Sequence, residues 1–250
     1  MTAGDLSAET ISVRGHSGDE IDAYYAHPAG SGPFPGVVVI QHIHGVDEWI
    51  METCRRLAHR GYAAVAPNLY ARIGSLGSGP VEDLAARLRS KGGLKDDVVM
   101  GDVQACADFL HGLPDANGHV GTIGFCMGGR FAYLAACRVS GLDAAVDCWG
   151  GNVAPLPGQP GPAGPAPVEL TPSMSAPFLG IFGNDDANPD PAQVDRTEAA
   201  LKAAGKTFEF RRYDGAGHGF FYWYGVGYRP QQANDAWNHV FAFYEKFLHA

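Results

Sequence analysis

Short apolar runs alternate with stretches of helical spacing along most of the chain. Residues 11–14 and 21–27 have strand character and flank a turn-forming segment, so they predict an opening hairpin. Residues 36–41 (GVVVIQ) form a continuous apolar run, the pattern of a strand buried on both faces. From 47 to 60 the period changes: Trp49, Ile50, Cys54 and Leu57 share one side of a helix, and Gly61 ends it. Strands are predicted again at 62–66, 119–124, 144–149, 177–183 and 207–213. Helices are predicted between them at 96–113, 127–139 and 192–204, with a closing helix at 231–248. Strand alternating with helix from residue 36 onward predicts an α/β fold: a mostly parallel central sheet, helices on both faces, and an antiparallel edge from the N-terminal hairpin. No repeat or composition break divides the chain, so residues 1–250 read as one domain.

Two segments lack either period. Residues 72–80 (RIGSLGSGP) form a glycine-rich loop. Residues 150–177 hold eight prolines, and Gly158, Gly161 and Gly164 mimic collagen triplets. So few triplets make no triple helix, and the segment reads as a proline-stiffened surface loop, either a spacer or one wall of a site's mouth.

Composition narrows the partners. Apolar residues make up 46% and charged residues 18%, with a net charge of −9, and the longest basic runs are the pairs Arg55–Arg56 and Arg211–Arg212. Nucleic acid and anionic membranes are therefore not expected partners. No apolar run approaches the ~18 residues of a membrane span, and residues 1–10 lack the pattern of a signal peptide. Five cysteines without a C-x-x-C pair argue against a disulfide framework or a thiolate zinc site, and predict a cytoplasmic protein.

The chemistry concentrates in three places. GFCMGG at 124–129 lies between a predicted strand and a predicted helix. It has the spacing of a nucleophile elbow, G-x-S-x-G, with Cys126 in the serine position. A nucleophile on so sharp a turn needs small residues two positions before and after it, and the helix that follows points its N-terminus at the thiol, favouring a thiolate. The alternative is a small buried cysteine in a tight turn. After the 177–183 strand comes the acidic loop GNDDANP, and after the 207–213 strand comes DGAGHGF. Both lie at carboxyl ends of predicted parallel strands, where open α/β sheets place ligands. The order nucleophile, acid, base fits a triad of Cys126, Asp186 and His218. G-x-x-D spacing favours Asp186 over Asp185, and Asp214 is expected to cap the turn before His218.

These segments, with GYAAVAPNLYAR at 61–72 and GAGH at 215–218, resemble the dienelactone hydrolase family of α/β-hydrolases over nearly the whole chain. The resemblance implies the α/β-hydrolase fold and cleavage of a small carboxylic ester or enol lactone through a thioester acyl-enzyme, without cofactor or metal. It also implies an oxyanion hole from the backbone amides of Ile43 and Met127. Two departures stand out. QHIHGV at 41–46 carries His42 where the family's enzymes usually carry a glutamate that restrains and activates the thiol. His42 is then either a brace bonded to a backbone carbonyl or a second base. His42 and His44 as an H-x-H metal pair lack a clear third ligand. Four positions after His218, where members that process dienelactone place an arginine, stands Tyr222 within FFYWY. Tyr70, Tyr222 and Trp223 are candidate pocket walls, and Arg72 a candidate anion contact. A monomer is expected by analogy of fold, with a homodimer as the alternative. Acyl transfer or thioester cleavage on the same fold, and a non-catalytic binding module, remain the rival readings.

Overall fold

The computed structural model describes residues 5–156 and 165–249. Its eight strands are β1 (Leu6–Arg14), β2 (Glu20–Pro28), β3 (Phe34–Ile40), β4 (Ala63–Pro67), β5 (Ala116–Phe125), β6 (Ala144–Cys148), β7 (Phe178–Gly183) and β8 (Phe208–Tyr213). They form one sheet in the order β1-β2-β4-β3-β5-β6-β7-β8. β1 pairs antiparallel with β2 and β2 with β4, while β4, β3, β5, β6, β7 and β8 run parallel. The predicted architecture is therefore the observed one. β1 is longer than its apolar pattern indicated, because most of its side chains face solvent at the sheet edge.

The described residues contain six α-helices: α1 (Glu48–His59), α2 (Val81–Ser90), α3 (Asp96–His111), α4 (Met127–Arg138), α5 (Pro191–Ala203) and α6 (Pro230–Leu248). The strands divide their side chains by the period of two. Val38 and Ile40 enter the core beneath α3 and α4, while Val37 and Val39 enter the core beneath α1 and α6. This is why residues 37–40 had to be apolar throughout. α2 escaped sequence reading because Leu84 is its one buried residue, too little to make an apolar stripe. It closes a small third cluster with Leu76, Tyr70 and Ile43.

Part of the proline-rich segment has regular structure. Pro167–Ser173 forms a 3-10 turn against α4, where the Thr171 and Tyr133 hydroxyls lie 2.5 Å apart. The glycines of the collagen-like triplets lie outside the described residues.

Arg72 corrects one expectation. Its guanidinium donates to Asp102 at 2.8 and 3.1 Å and to Asp19 at 2.7 Å. Asp102 is buried on α3 and also accepts the His16 amide at 2.8 Å. Arg72 therefore locks the β1–β2 hairpin turn onto α3 and is committed as a brace rather than offered to an anionic substrate. Asp102→Ala leaves Arg72 Nη1 and the His16 amide without their acceptor, while Asp19 still holds Arg72 Nε. Because the Arg72 side chain is a quarter exposed, we expect a loss of about 2–3 kcal/mol, below the range for fully buried pairs, measurable by urea unfolding.

Candidate active site

Cys126 sits between β5 and α4 at φ 57° and ψ −118°, a conformation that L residues rarely adopt. Such strain costs ~1–3 kcal/mol and is held only by what surrounds it. The Cys126 amide donates to Cys148 O at 3.0 Å, and its carbonyl accepts from Gly129 N at 3.0 Å. The glycines follow from close backbone approach. A Cβ on Gly124 would lie 1.9 Å from Gly128 O, and one on Gly128 would lie 2.2 Å from Ile40 O. The start of α4 thus presses directly on the end of β3, which places Met127 beside the loop that leaves β3.

The acid and histidine loops meet across the sheet's carboxyl edge. Asp185 N donates to Ala216 O and Asn184 N to Tyr213 O, both at 2.9 Å. Gly183 admits this contact, since a Cβ there would lie 2.2 Å from Ala216 O. Asp186 is buried, accepts Asn188 N at 2.9 Å on one oxygen, and holds His218 Nδ1 at 2.8 Å on the other. Asp185 is exposed. The Asp214 carboxylate accepts from Asn184 Nδ2 at 2.6 Å, so it joins the two loops rather than the histidine. Burial pulls the His218 pKa down, but hydrogen bonds to Asp186 and to the Cys126 side chain outweigh it and raise the value to about 10. The imidazole is thus anchored by Asp186, with 40% of its side chain open to solvent.

The loop after β3 carries the remaining candidates. His42 is buried, and its Nε2 faces Asp47 Oδ2 at 3.0 Å. Nε2 thus faces a carboxylate at ion-pair distance rather than the backbone carbonyl considered from sequence, without a directed hydrogen bond to it. Tyr70 is buried and donates its hydroxyl to Ile43 O at 2.8 Å, which makes it a brace of this loop. Tyr222 stacks on His44 (5.8 Å, 9°) and meets His42 and Trp49 edge-on. Trp223 shares Trp49 with Tyr222 but turns towards Arg56 and a shallow depression with Glu48, Glu52 and Tyr228, away from His42 and His44. A cleft of about 300 Å³ flanks the loop, lined in part by Tyr24, His44, Gly45, Met51 and Tyr70; neither Cys126 nor His218 lines it.

Three residues near the elbow had no signal in the sequence. Trp149 is buried at φ 46°, beneath the His218 ring at 6.5 Å. Asp47 reads as an ordinary helix cap until its second oxygen is seen on His42. Asp147 is fully buried below the elbow, with one oxygen accepting Gly150 N at 2.7 Å and 2.3 Å from where a Gly129 Cβ would stand. Its other oxygen lacks a hydrogen-bond partner. Burial pushes its carboxyl up to about 7, against the Gly150 hydrogen bond that pulls it down. Because the folded value exceeds the unfolded one, the native state holds the proton more tightly; that stabilisation is complete at low pH and is lost as pH rises through about 7. Asp147→Asn, which cannot ionise, is expected to gain roughly 2–4 kcal/mol at about pH 8 and little at about pH 4, checked by denaturant unfolding at both.

Fold and site together define an α/β-hydrolase. A model of the dienelactone hydrolase family matches residues 21–248, and the chain belongs to that family. A "putative carboxymethylenebutenolidase" of Methylorubrum extorquens is 39% identical over 223 residues, covering 88% of this chain and 75% of that protein. One of Escherichia coli K12 is 36% identical, covering 92% and 84%. The crystal structure of a "putative dienelactone hydrolase" from Klebsiella pneumoniae superposes with a TM-score of 0.88 at 33% identity, covering 98% of this chain and all of that one. The protein is accordingly a hydrolase of the carboxylic ester and lactone class.

Proposed function

We propose that the protein hydrolyses small, uncharged esters or enol lactones through a Cys126–His218–Asp186 triad and a thioester acyl-enzyme. The observation that carries this is His218, whose Nδ1 is held by buried Asp186 at 2.8 Å and whose charged form is also favoured by the Cys126 side chain, which stands on the strained turn that opens α4. Asp186 fixes the imidazole and stabilises its charged form. Cys126 attacks the acyl carbon as the thiolate, and the amides of Ile43 and Met127 receive the oxyanion. His218 then protonates the leaving alkoxide. In the second half it takes a proton from water, which attacks the thioester and releases the acid and the free thiol. A thiolate is itself a good leaving group, so acyl-enzyme accumulates only when the alcohol departs easily. Enol lactones and activated esters meet that condition; alkyl esters meet it less well, and amides least.

Four arginines engaged elsewhere support an uncharged substrate. Arg72 is held by Asp102 and Asp19, and Arg130 is paired with Asp96 at 2.8 and 2.9 Å. Arg87 donates to the carbonyls of Leu76 and Ser78, and Arg229 to those of Gly215, Val226 and Tyr228. Tyr222 offers an aromatic face instead of a cation. All five cysteines are free thiols, which supports a cytoplasmic location. Among the described residues no helix is long and apolar enough to cross a membrane. We take the working unit to be the monomer. The test is hydrolysis of p-nitrophenyl acetate by wild type and Cys126→Ala, with the acyl group located by peptide mass spectrometry.

A further inference from the structure

The segment 41–46 bends back on itself. Gly45 N donates to His42 O at 3.1 Å, and residues 42 and 45 form an isolated antiparallel bridge. In a trans peptide the C=O and the next N–H point in opposite directions. With the His42 carbonyl turned into the bend, the Ile43 N–H points out of it. The next carbonyl, that of Ile43, is held by the Tyr70 hydroxyl at 2.8 Å. The His42–Ile43 peptide is thus held at its oxygen by Gly45 N, and the His42 side chain is its second anchor, on the amino side.

That side chain is enclosed by a carboxylate and three rings. Its ring is buried, with Nε2 3.0 Å from Asp47 Oδ2. Asp47 is itself immobilised, because its other oxygen accepts Ile50 N at 3.0 Å as the N-cap of α1. The remaining groups against His42 are the rings of His44 at 4.8 Å, Trp49 at 5.4 Å and Tyr222 at 5.4 Å, so Asp47 is the anion it faces. Trp49 also packs on Phe125 at 4.6 Å, the residue before Cys126. The helix that supplies Asp47 therefore rests on the elbow as well as on the loop.

We propose that Asp47 is a positioning residue: through His42 it sets the Ile43 amide at the tilt the oxyanion requires, tying that amide to the N-terminus of α1. The inference rests on the hydrolytic reading above, in which Ile43 is an oxyanion donor. It assigns the His42–Asp47 pair to the carbonyl oxygen of the substrate rather than to the thiol. An oxyanion forms in both half-reactions, so acylation and deacylation depend on the pair alike.

Asp47→Ser separates the pair from the cap, since serine caps a helix as well as aspartate but is too short to reach His42. His42→Phe keeps the ring and loses Nε2. With p-nitrophenyl acetate, each is expected to lower kcat about 10- to 100-fold with KM unchanged, the scale for a misplaced oxyanion donor. The double variant should lose no more than the worse single one. Alkylation of Cys126 by iodoacetamide needs the thiolate but builds no oxyanion, so its rate and pH profile should stay as in wild type. An unchanged kcat in both variants overturns the proposal, and so does a shifted alkylation profile, which would place the pair on the thiol. Full activity in Cys126→Ala would instead overturn the hydrolytic reading from which this one starts.

Discussion

Cys126→Ala is expected to hydrolyse p-nitrophenyl acetate at least about 10⁴-fold more slowly than wild type while keeping its unfolding midpoint. The loss is large because the covalent step disappears: His218 and the two amides remain, but nothing attacks the acyl carbon. Stability should hold because the thiol is only half-buried and alanine keeps both backbone hydrogen bonds, donating to Cys148 O and accepting from Gly129 N. The other cysteines cannot substitute. Cys54, Cys106, Cys137 and Cys148 are buried, and burial pushes each of their thiols upward, against the thiolate. Acetyl label should therefore appear on the 126-containing peptide of wild type and on no cysteine of the variant. Activity that survives in the variant would remove Cys126 from the reaction.

Asp186→Asn is expected to cost up to about 10⁴ in kcat, the scale seen when the acid of a triad loses its charge. The amide keeps the shape of the carboxylate but no longer supports the imidazolium. The pH dependence gives a sharper readout. His218 is raised from 6.5 to about 10, so its charged form spans the neutral range, and the alkaline limb of kcat/KM should lie near pH 10 in wild type. Removal of the Asp186 hydrogen bond should move that limb towards neutrality. Linkage has the same sign. The proton on His218 contributes stability that is complete below about pH 6.5 and is lost towards pH 10, reduced by solvent screening because 40% of the side chain is exposed. An alkaline limb that stays in place in Asp186→Asn would show that this carboxylate does not govern the histidine.

Much of the fold was legible because burial leaves a period. The two-sided strands β3 to β7 need apolar runs, and α1, α3 and α6 need one apolar face, so pattern located them to within a few residues. The elbow was legible for a different reason: glycines at 124 and 128 are forced by carbonyl oxygens that leave no room for a Cβ. Where an element buries little, as in α2 with Leu84 alone, pattern had nothing to report. Trp223 and Tyr222 are neighbours in sequence, yet one faces Arg56 and the other His42 and His44. Only the path of the backbone through FFYWY separates them.

By itself the sequence determined the alternation of strand and helix, the glycine-bounded cysteine, and the order of acid and histidine loops, because each is a local requirement written in neighbouring residues. The tertiary structure decided the assignments that depend on long-range pairing. Arg72 went to Asp102, thirty residues away. Asp186 rather than its neighbour Asp185 turned inward to His218. Asp47 was found to serve a helix with one oxygen and His42 with the other. Charged side chains reach far and carry no period, so which partner each one takes is settled only when the chain has folded.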